Sequence, residues 1–371
     1  MTGCGNGAPT GNAIESSSET TELKADKSEN KKLSIVTTIF PEYDWVKAIL
    51  GEKAEDADVT MLLNKGVDLH SYQPTAEDIL KISNADVFIY VGGESDGWVE
   101  DALKESVNPD QKVINLLEVL GSNVKEEEVV EGMEAGHDHE HDEEDEHHHD
   151  DAEEASAHEE AHEEAHEEAH EEVHEEAHEE AHEETHDEEH HEAEYDEHVW
   201  LSLKNAEILC DKIAEVLSEA DSDNADLYKA NAEAYTQKLA ELDGKYAETV
   251  KGAAYKTLLF GDRFPFRYMT DDYGIDYYAA FVGCSAETEA SFETIIFLAG
   301  KVDELKLPAI LTIENSDGKI AETVRDNTKT KDQKILSLDS MQSTTDEDVK
   351  NGAAYIEIME KNLEVLKEAM N

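Results

Sequence analysis

From Glu126 to Glu197 the chain holds 37 Asp or Glu and no Lys or Arg, and between His137 and His191 it holds 16 of its 18 histidines. A stretch this charged has almost nothing to bury, so a folded core has to be assembled from the residues on either side of it. Its centre repeats His-Glu-Glu followed by Ala, Val or Thr, which places His158, His162, His166, His170, His174, His178, His182 and His186 at every fourth position. On a helix that spacing lines up imidazoles along one face, where neighbours can share a metal ion, while glutamates at the same spacing repel one another. The expected state is disorder without metal at neutral pH and some helix once Zn²⁺ is added, the eight histidines acting as secondary, low-affinity metal sites. A solvated acidic spacer is the plainer alternative. Eight histidines in strict register speak against it.

Concentrating histidine in one tract leaves only His70 and His198 for the rest of the protein. Those two become candidates for a single well-formed site. The formal charge of −62 is also mostly the tract's: outside it, 55 acids face 30 bases, a formal −25. No clustered basic side chains are left to grip phosphate, which excludes nucleic acid as a partner and makes cations the natural one. Three cysteines, Cys4, Cys210 and Cys284, are too few and too scattered for a disulfide framework or a zinc finger. Cys210 falls among Ile208, Leu209 and Ile213 and reads as core. No stretch approaches the roughly 20 apolar residues of a membrane span.

With 371 residues and 41.3 kDa there is room for two lobes, a tail and the insertion. Residues 1–32 are polar and rich in Gly, Ser and Glu, as a flexible tether would be, and Cys4 between two glycines resembles the lipidation site of a bacterial lipoprotein. Residues 33–122 alternate strand and helix. Leu33 to Phe40 is β-branched and ends at Pro41, Pro41 to Leu50 is helical, and Asp58 to Leu63 is a second strand. The loop from Asn64 to Pro74 carries His70; a capping box at Thr75 to Asp78 opens a helix, and Val87 to Val91 is a third strand. Residues 123–197 are the insertion and 198–222 complete this lobe, with Val199 to Leu217 expected as one helix. Asp223 to Val250, within a linking segment 223–252, has an apolar stripe over roughly 40 Å and could span both lobes. Residues 253–371 repeat the alternation and close on a helix from Asp346 to Met370. The fold expected is α/β: two three-layer lobes joined by one long helix, with a ligand cleft at the carboxyl ends of the strands.

Gly66-Val67-Asp68-Leu69-His70-Ser71-Tyr72-Gln73-Pro74-Thr75, the Asp196-Glu197-His198-Val199-Trp200-Leu201 stretch and the long helix between lobes resemble the zinc/manganese-type substrate-binding lipoproteins of ABC importers. The resemblance covers Leu33 to Asn371 apart from the insertion, and a His- and acid-rich insertion before the second histidine is typical of the zinc branch. It implies four side chains holding the metal in the cleft. His70 and His198 match the first two ligands, and Asp339, in Leu336-Ser337-Leu338-Asp339-Ser340-Met341, matches the acidic one. The third position departs from the pattern. Relatives place His or Glu where an ungapped alignment puts Arg263, whose guanidinium cannot ligate. Asp262 is the nearest replacement, unless it only pairs with Arg263 or Arg267; Glu287 and Glu289 are weaker candidates, and Cys284 reads as a small apolar residue before it reads as a thiolate ligand. Trp200 and Tyr72 read as packing residues.

The resemblance further implies an extracytoplasmic monomer, anchored to the cell membrane by lipid alone, that captures Zn²⁺ and passes it to an ABC permease without catalysing a reaction. Mn²⁺ or Fe²⁺ is the alternative cargo, because an extra carboxylate at the third position favours harder ions. A surface metal buffer or adhesin, and a zinc metallohydrolase, are the rival classes; no His-Glu-x-x-His motif supports the latter. Deleting Glu126 to Glu194 is expected to keep the fold and the tight site.

Overall fold

The β-branched runs of the sequence become two four-stranded parallel sheets in the computed structural model, which describes residues 1, 3, 32–134, 194–285 and 289–371. Cys4, the eight tract histidines and Glu287 lie outside the described residues. In the first lobe β1 (Ser34–Thr37), β2 (Asp58–Met61), β3 (Val87–Tyr90) and β4 (Lys112–Asn115) stand in the order β2-β1-β3-β4. In the second, β5 (Thr257–Phe264), β6 (Asp276–Val282), β7 (Ala309–Ile313) and β8 (Lys334–Leu338) stand in the order β6-β5-β7-β8. Both orders switch direction beside the first strand, the place where a crevice opens at the carboxyl ends of a parallel sheet.

The helices are α1 (Phe40–Leu50), α2 (Ala76–Asn84), α3 (Val99–Lys104), α4 (Leu116–Leu120), α5 (Leu203–Ala220), α6 (Ala225–Gly252), α7 (Arg267–Tyr273), α8 (Phe292–Leu305), α9 (Lys319–Asn327), α10 (Asp346–Lys350) and α11 (Tyr355–Ala369). The capping box of α2 forms as its sequence dictates: Thr75 Oγ1 accepts from Asp78 N at 3.2 Å, and Asp78 accepts from Thr75 N at 3.0 Å. Two helices depart from the sequence expectation. Residues Val199–Leu201 form a single 3₁₀ turn, and α5 starts only at Leu203, because Ser202 Oγ accepts from Asn205 N at 3.0 Å and sets the start there. The closing helix is split into α10 and α11 at Gly352, whose φ of +95° no helix tolerates.

The 28 residues of α6 run about 42 Å. Tyr228, Ala232, Tyr235, Leu239, Leu242, Tyr246 and Val250 recur at helical spacing on its buried side. That stripe packs on α1 and α5 in the first lobe and on α7 and α11 in the second. One apolar core is therefore continuous from sheet to sheet, with Trp45 edge-on to Tyr355 at 5.2 Å and both rings buried. A smaller cluster under α8 and α9 completes the second lobe.

Candidate metal centre

The loop after β2 is shaped by Asp68, which accepts a hydrogen bond from His70 N at 3.1 Å and so caps the 3₁₀ turn Leu69–Ser71. Leu69 and Tyr72 are buried on either side of His70 and fix the turn to the lobe. On the other side of the site the chain returns from the insertion through Asp196-Glu197-His198, and His198 is entirely buried. Asp196 Oδ1 accepts from His198 N and also lies 2.8 Å from His198 Nδ1. His70 Nδ1 lies 2.8 Å from Ser95 Oγ and 3.4 Å from Glu197 Oε2.

Each ring thus spends its Nδ1 on a fixed partner, which turns its Nε2 toward the other ring. The two Nε2 atoms are 3.2 Å apart. Two imidazoles that donate from Nδ1 present lone pairs to each other at Nε2, an arrangement that favours a cation between them. Nitrogens bound tetrahedrally to zinc at about 2.0 Å stand about 3.3 Å apart.

The second lobe reaches the same place through the end of β6. Among the described residues one group of at least three His, Cys, Asp or Glu could hold a metal: His70, His198 and Cys284, with ligand atoms all within 4.8 Å of one another. Gly283 makes the approach possible, since a Cβ there would sit 2.8 Å from Phe264 O and 3.0 Å from His198 Cε1. Cys284 N donates to Glu127 Oε1 at 3.1 Å. Burial pushes the thiol far above its ordinary range, with Glu127, Asp196 and Glu197 adding to the effect, so without metal it keeps its proton. Burial also pushes Glu197 upward, but hydrogen bonds from His70 and Ser95 outweigh it and hold this carboxyl below the usual range. A cavity of about 290 Å³ opens beside the group, lined by His70, Cys284 and the carboxylates Glu94, Glu127, Glu194 and Glu197.

The oxygen donors expected from the sequence, Asp262 within β5 and Asp339 just after β8, are outside this group. Asp262 Oδ1 accepts from Arg263 N at 2.9 Å and its Oδ2 from Ile313 N at 3.4 Å. Asp339 Oδ1 accepts from Met341 N at 2.8 Å; burial, with Glu314 nearby, pushes its carboxyl up to about 6. Arg263 pairs with Asp68 across the two lobes rather than with Asp262, and Arg267 pairs with Glu128 and Asp271. Glu289 is exposed. The carboxylates within 4.0 Å of a ring nitrogen of either histidine, among the described residues, are Asp68, Asp196 and Glu197. Trp200 packs against His198 at 5.4 Å and donates from Nε1 to Ser340 O at 2.8 Å.

From the sequence Cys284 ranks as packing ahead of a thiolate ligand, because a single cysteine after a strand has no spacing signature. The first residues of the expected insertion make contacts with the folded lobes. Residues 126–134 form a strap: Glu126 bridges Tyr195, Glu128 accepts from Tyr277 Oη at 2.9 Å, and Glu134 N donates to Ala280 O of β6 at 2.9 Å. A deletion starting at Glu126 would remove the carboxylate that holds Cys284 N.

The family described as zinc-uptake complex component A, periplasmic, has a model that matches residues 35–171 and 151–369. The chain is 30% identical over 342 residues to the zinc-binding lipoprotein AdcA of Streptococcus pneumoniae R6, covering 92% of this chain and 56% of AdcA. It thus spans little more than half the length of that relative. It is 27% identical over 367 residues to the high-affinity zinc uptake system protein ZnuA of Bacillus subtilis, covering 99% and 92%. The crystal structure of the Zn(II)-bound ZnuA-like domain of S. pneumoniae AdcA superposes with a TM-score of 0.62 at 27% identity, over 92% of this chain and 99% of that domain.

Proposed function

Since this chain belongs to the family of periplasmic component A of zinc-uptake complexes, we propose that it captures Zn²⁺ outside the cytoplasm and hands it to an ABC permease for import. The observation that carries this reading is the pair of Nε2 atoms 3.2 Å apart, each backed by a partner on its Nδ1. Imidazole ligands suit zinc better than the harder Mn²⁺ or Mg²⁺. The chemistry is coordination without turnover: the metal enters, is held, and leaves unchanged.

His70 and His198 are the nitrogen ligands of this proposal. An oxygen donor is one further member of the set, and Asp68, Asp262 and Asp339 compete for that place. Asp68 Oδ1 is already 4.0 Å from His70 Nε2; Asp262 and Asp339 have to exchange a backbone amide for the ion. The tract histidines, His158 to His186, serve as a weak reservoir beside the tight site. Cys4 is the point of lipid attachment, in keeping with the lipoprotein name of one relative.

Titration calorimetry of the double variant His70→Ala, His198→Ala tests the assignment. The tight one-to-one phase should vanish and leave weak uptake at several sites. A tight phase surviving intact in the double variant places the cargo elsewhere and removes the proposal.

A further inference from the structure

His70 and His198 both belong to the first lobe, so by themselves they hold an ion on one side of the crevice. We infer that Cys284 is the ligand by which the second lobe grasps the metal, making the centre a His₂Cys site. This rests on the reading of the protein as a zinc-capture protein and names the third donor of that same site.

Three observations converge on it. The Cys284 Sγ falls within 4.8 Å of a ring nitrogen of each histidine, and tetrahedral zinc with Zn–N of about 2.0 Å and Zn–S of about 2.3 Å sets that spacing at about 3.5 Å. Gly283 lacks the Cβ that would strike the His198 ring and the Phe264 carbonyl, so the end of β6 can lie directly against the imidazole. The backbone of Cys284 is tied to the strap through Glu127, whose Oε1 accepts from its amide at 3.1 Å. A residue that only filled space would not need its neighbour stripped to glycine beside a histidine ring. Meanwhile Arg263 is occupied by Asp68 and the Ser285 carbonyl. The donor missing at Arg263 on β5 is thus supplied from the adjacent strand.

When the ion binds, a Zn–S bond forms, the S–H bond breaks, and the proton leaves to solvent. The metal then joins loops of both lobes. Thiolate also sets the cargo class: borderline and soft ions such as Zn²⁺, Co²⁺ and Cd²⁺ are accepted ahead of Mn²⁺.

The test is made on the full chain with half an equivalent of Co²⁺, so that the tight site fills before the tract. The wild-type protein should show a sulfur-to-cobalt charge-transfer band in the near ultraviolet. Cys284→Ser should lose that band while the visible d–d bands of bound cobalt persist, and Cys4→Ser should keep it. X-ray absorption of the zinc-loaded wild type, which needs no variant to fold, should require one sulfur at about 2.3 Å. A band that survives in Cys284→Ser, or a zinc shell containing only nitrogen and oxygen, overturns the inference. Neither result touches the capture reading, which fails only if the histidine double variant keeps the tight site.

Discussion

At the scale of single residues, the proposed centre is held by what stands behind its two histidines. Asp196 accepts from both the backbone amide and the ring of His198, and it is buried with it. Replacing Asp196 with Asn leaves shape but removes the carboxylate that fixes the Nδ1–H tautomer. Such outer partners are worth about 10–100-fold in metal affinity. Competition with a zinc chelator should show a loss of that size for Asp196→Asn, and an unchanged affinity would mean the ring is oriented by packing on Trp200 alone. His70 and His198 are legible from the sequence because every other histidine lies in the tract, which leaves these two conspicuous. Asp68 is not legible, and Cys284 is read there as packing ahead of a thiolate ligand. The role of the cysteine depends on Gly283 being bare beside a ring 85 positions earlier in the chain, and the pairing of Asp68 with Arg263 needs both lobes in place.

Among the elements, strand runs and the capping box of α2 follow local rules and can be read directly, whereas helix ends set by a single side chain are harder. Ser202 and Gly352 each carry the signal for a helix boundary, but the apolar periodicity on both sides hides it. The first turn of α1 holds a further feature. Glu42 Oε2 accepts from Thr38 N, Thr38 Oγ1 and Ile39 N at 2.8, 3.1 and 3.2 Å, yet its Oε1 has no hydrogen-bond partner among the described residues. Burial, with Asp96 adding to it, pushes this carboxyl up to about 8, the bonds from Ile39 and Thr38 offsetting part of the effect. Below the ordinary carboxyl range both the folded and the unfolded chain hold the proton. Between there and pH 8 only the folded chain does, so the stability this group contributes is complete at low pH and is lost as pH rises through 8. Glu42→Gln keeps the shape without the proton. Its melting temperature should gain on the wild type between about pH 5 and 8 and level off above, by the equivalent of a few kcal/mol; parallel curves for the two proteins would show that Glu42 does not titrate in this window.

For the whole molecule, α6 and the shared core restrain how far the lobes can part. Trp200 Nε1 donates to Ser340 O at 2.8 Å, Ser202 Oγ donates to Asp272 Oδ2 at 2.6 Å, and Tyr355 Oη donates to Trp200 O at 2.6 Å, all between lobes and close to the metal centre. Separating the lobes as rigid bodies would break these together, so on the proposed reading exchange of an ion would fall to the loops carrying His70 and Cys284. The strap makes a prediction at this scale. Replacing residues 135–193 with a Gly/Ser linker should preserve the one-to-one tight phase in calorimetry and abolish the weak uptake; loss of the tight phase would put the principal site inside the tract.

Both margins of the tract are moored by main-chain bonds, Glu134 to β6 and Glu194 O to the amide of Glu127. Whatever number of His-Glu-Glu units lies between these moorings, the jaws of the centre stay where they are, and doubling such a loop adds only about 0.6 kcal/mol of closure entropy. On the proposed reading, capacity and grip are therefore separately heritable: repeat gain or loss would retune weak uptake without renegotiating how firmly one ion is held.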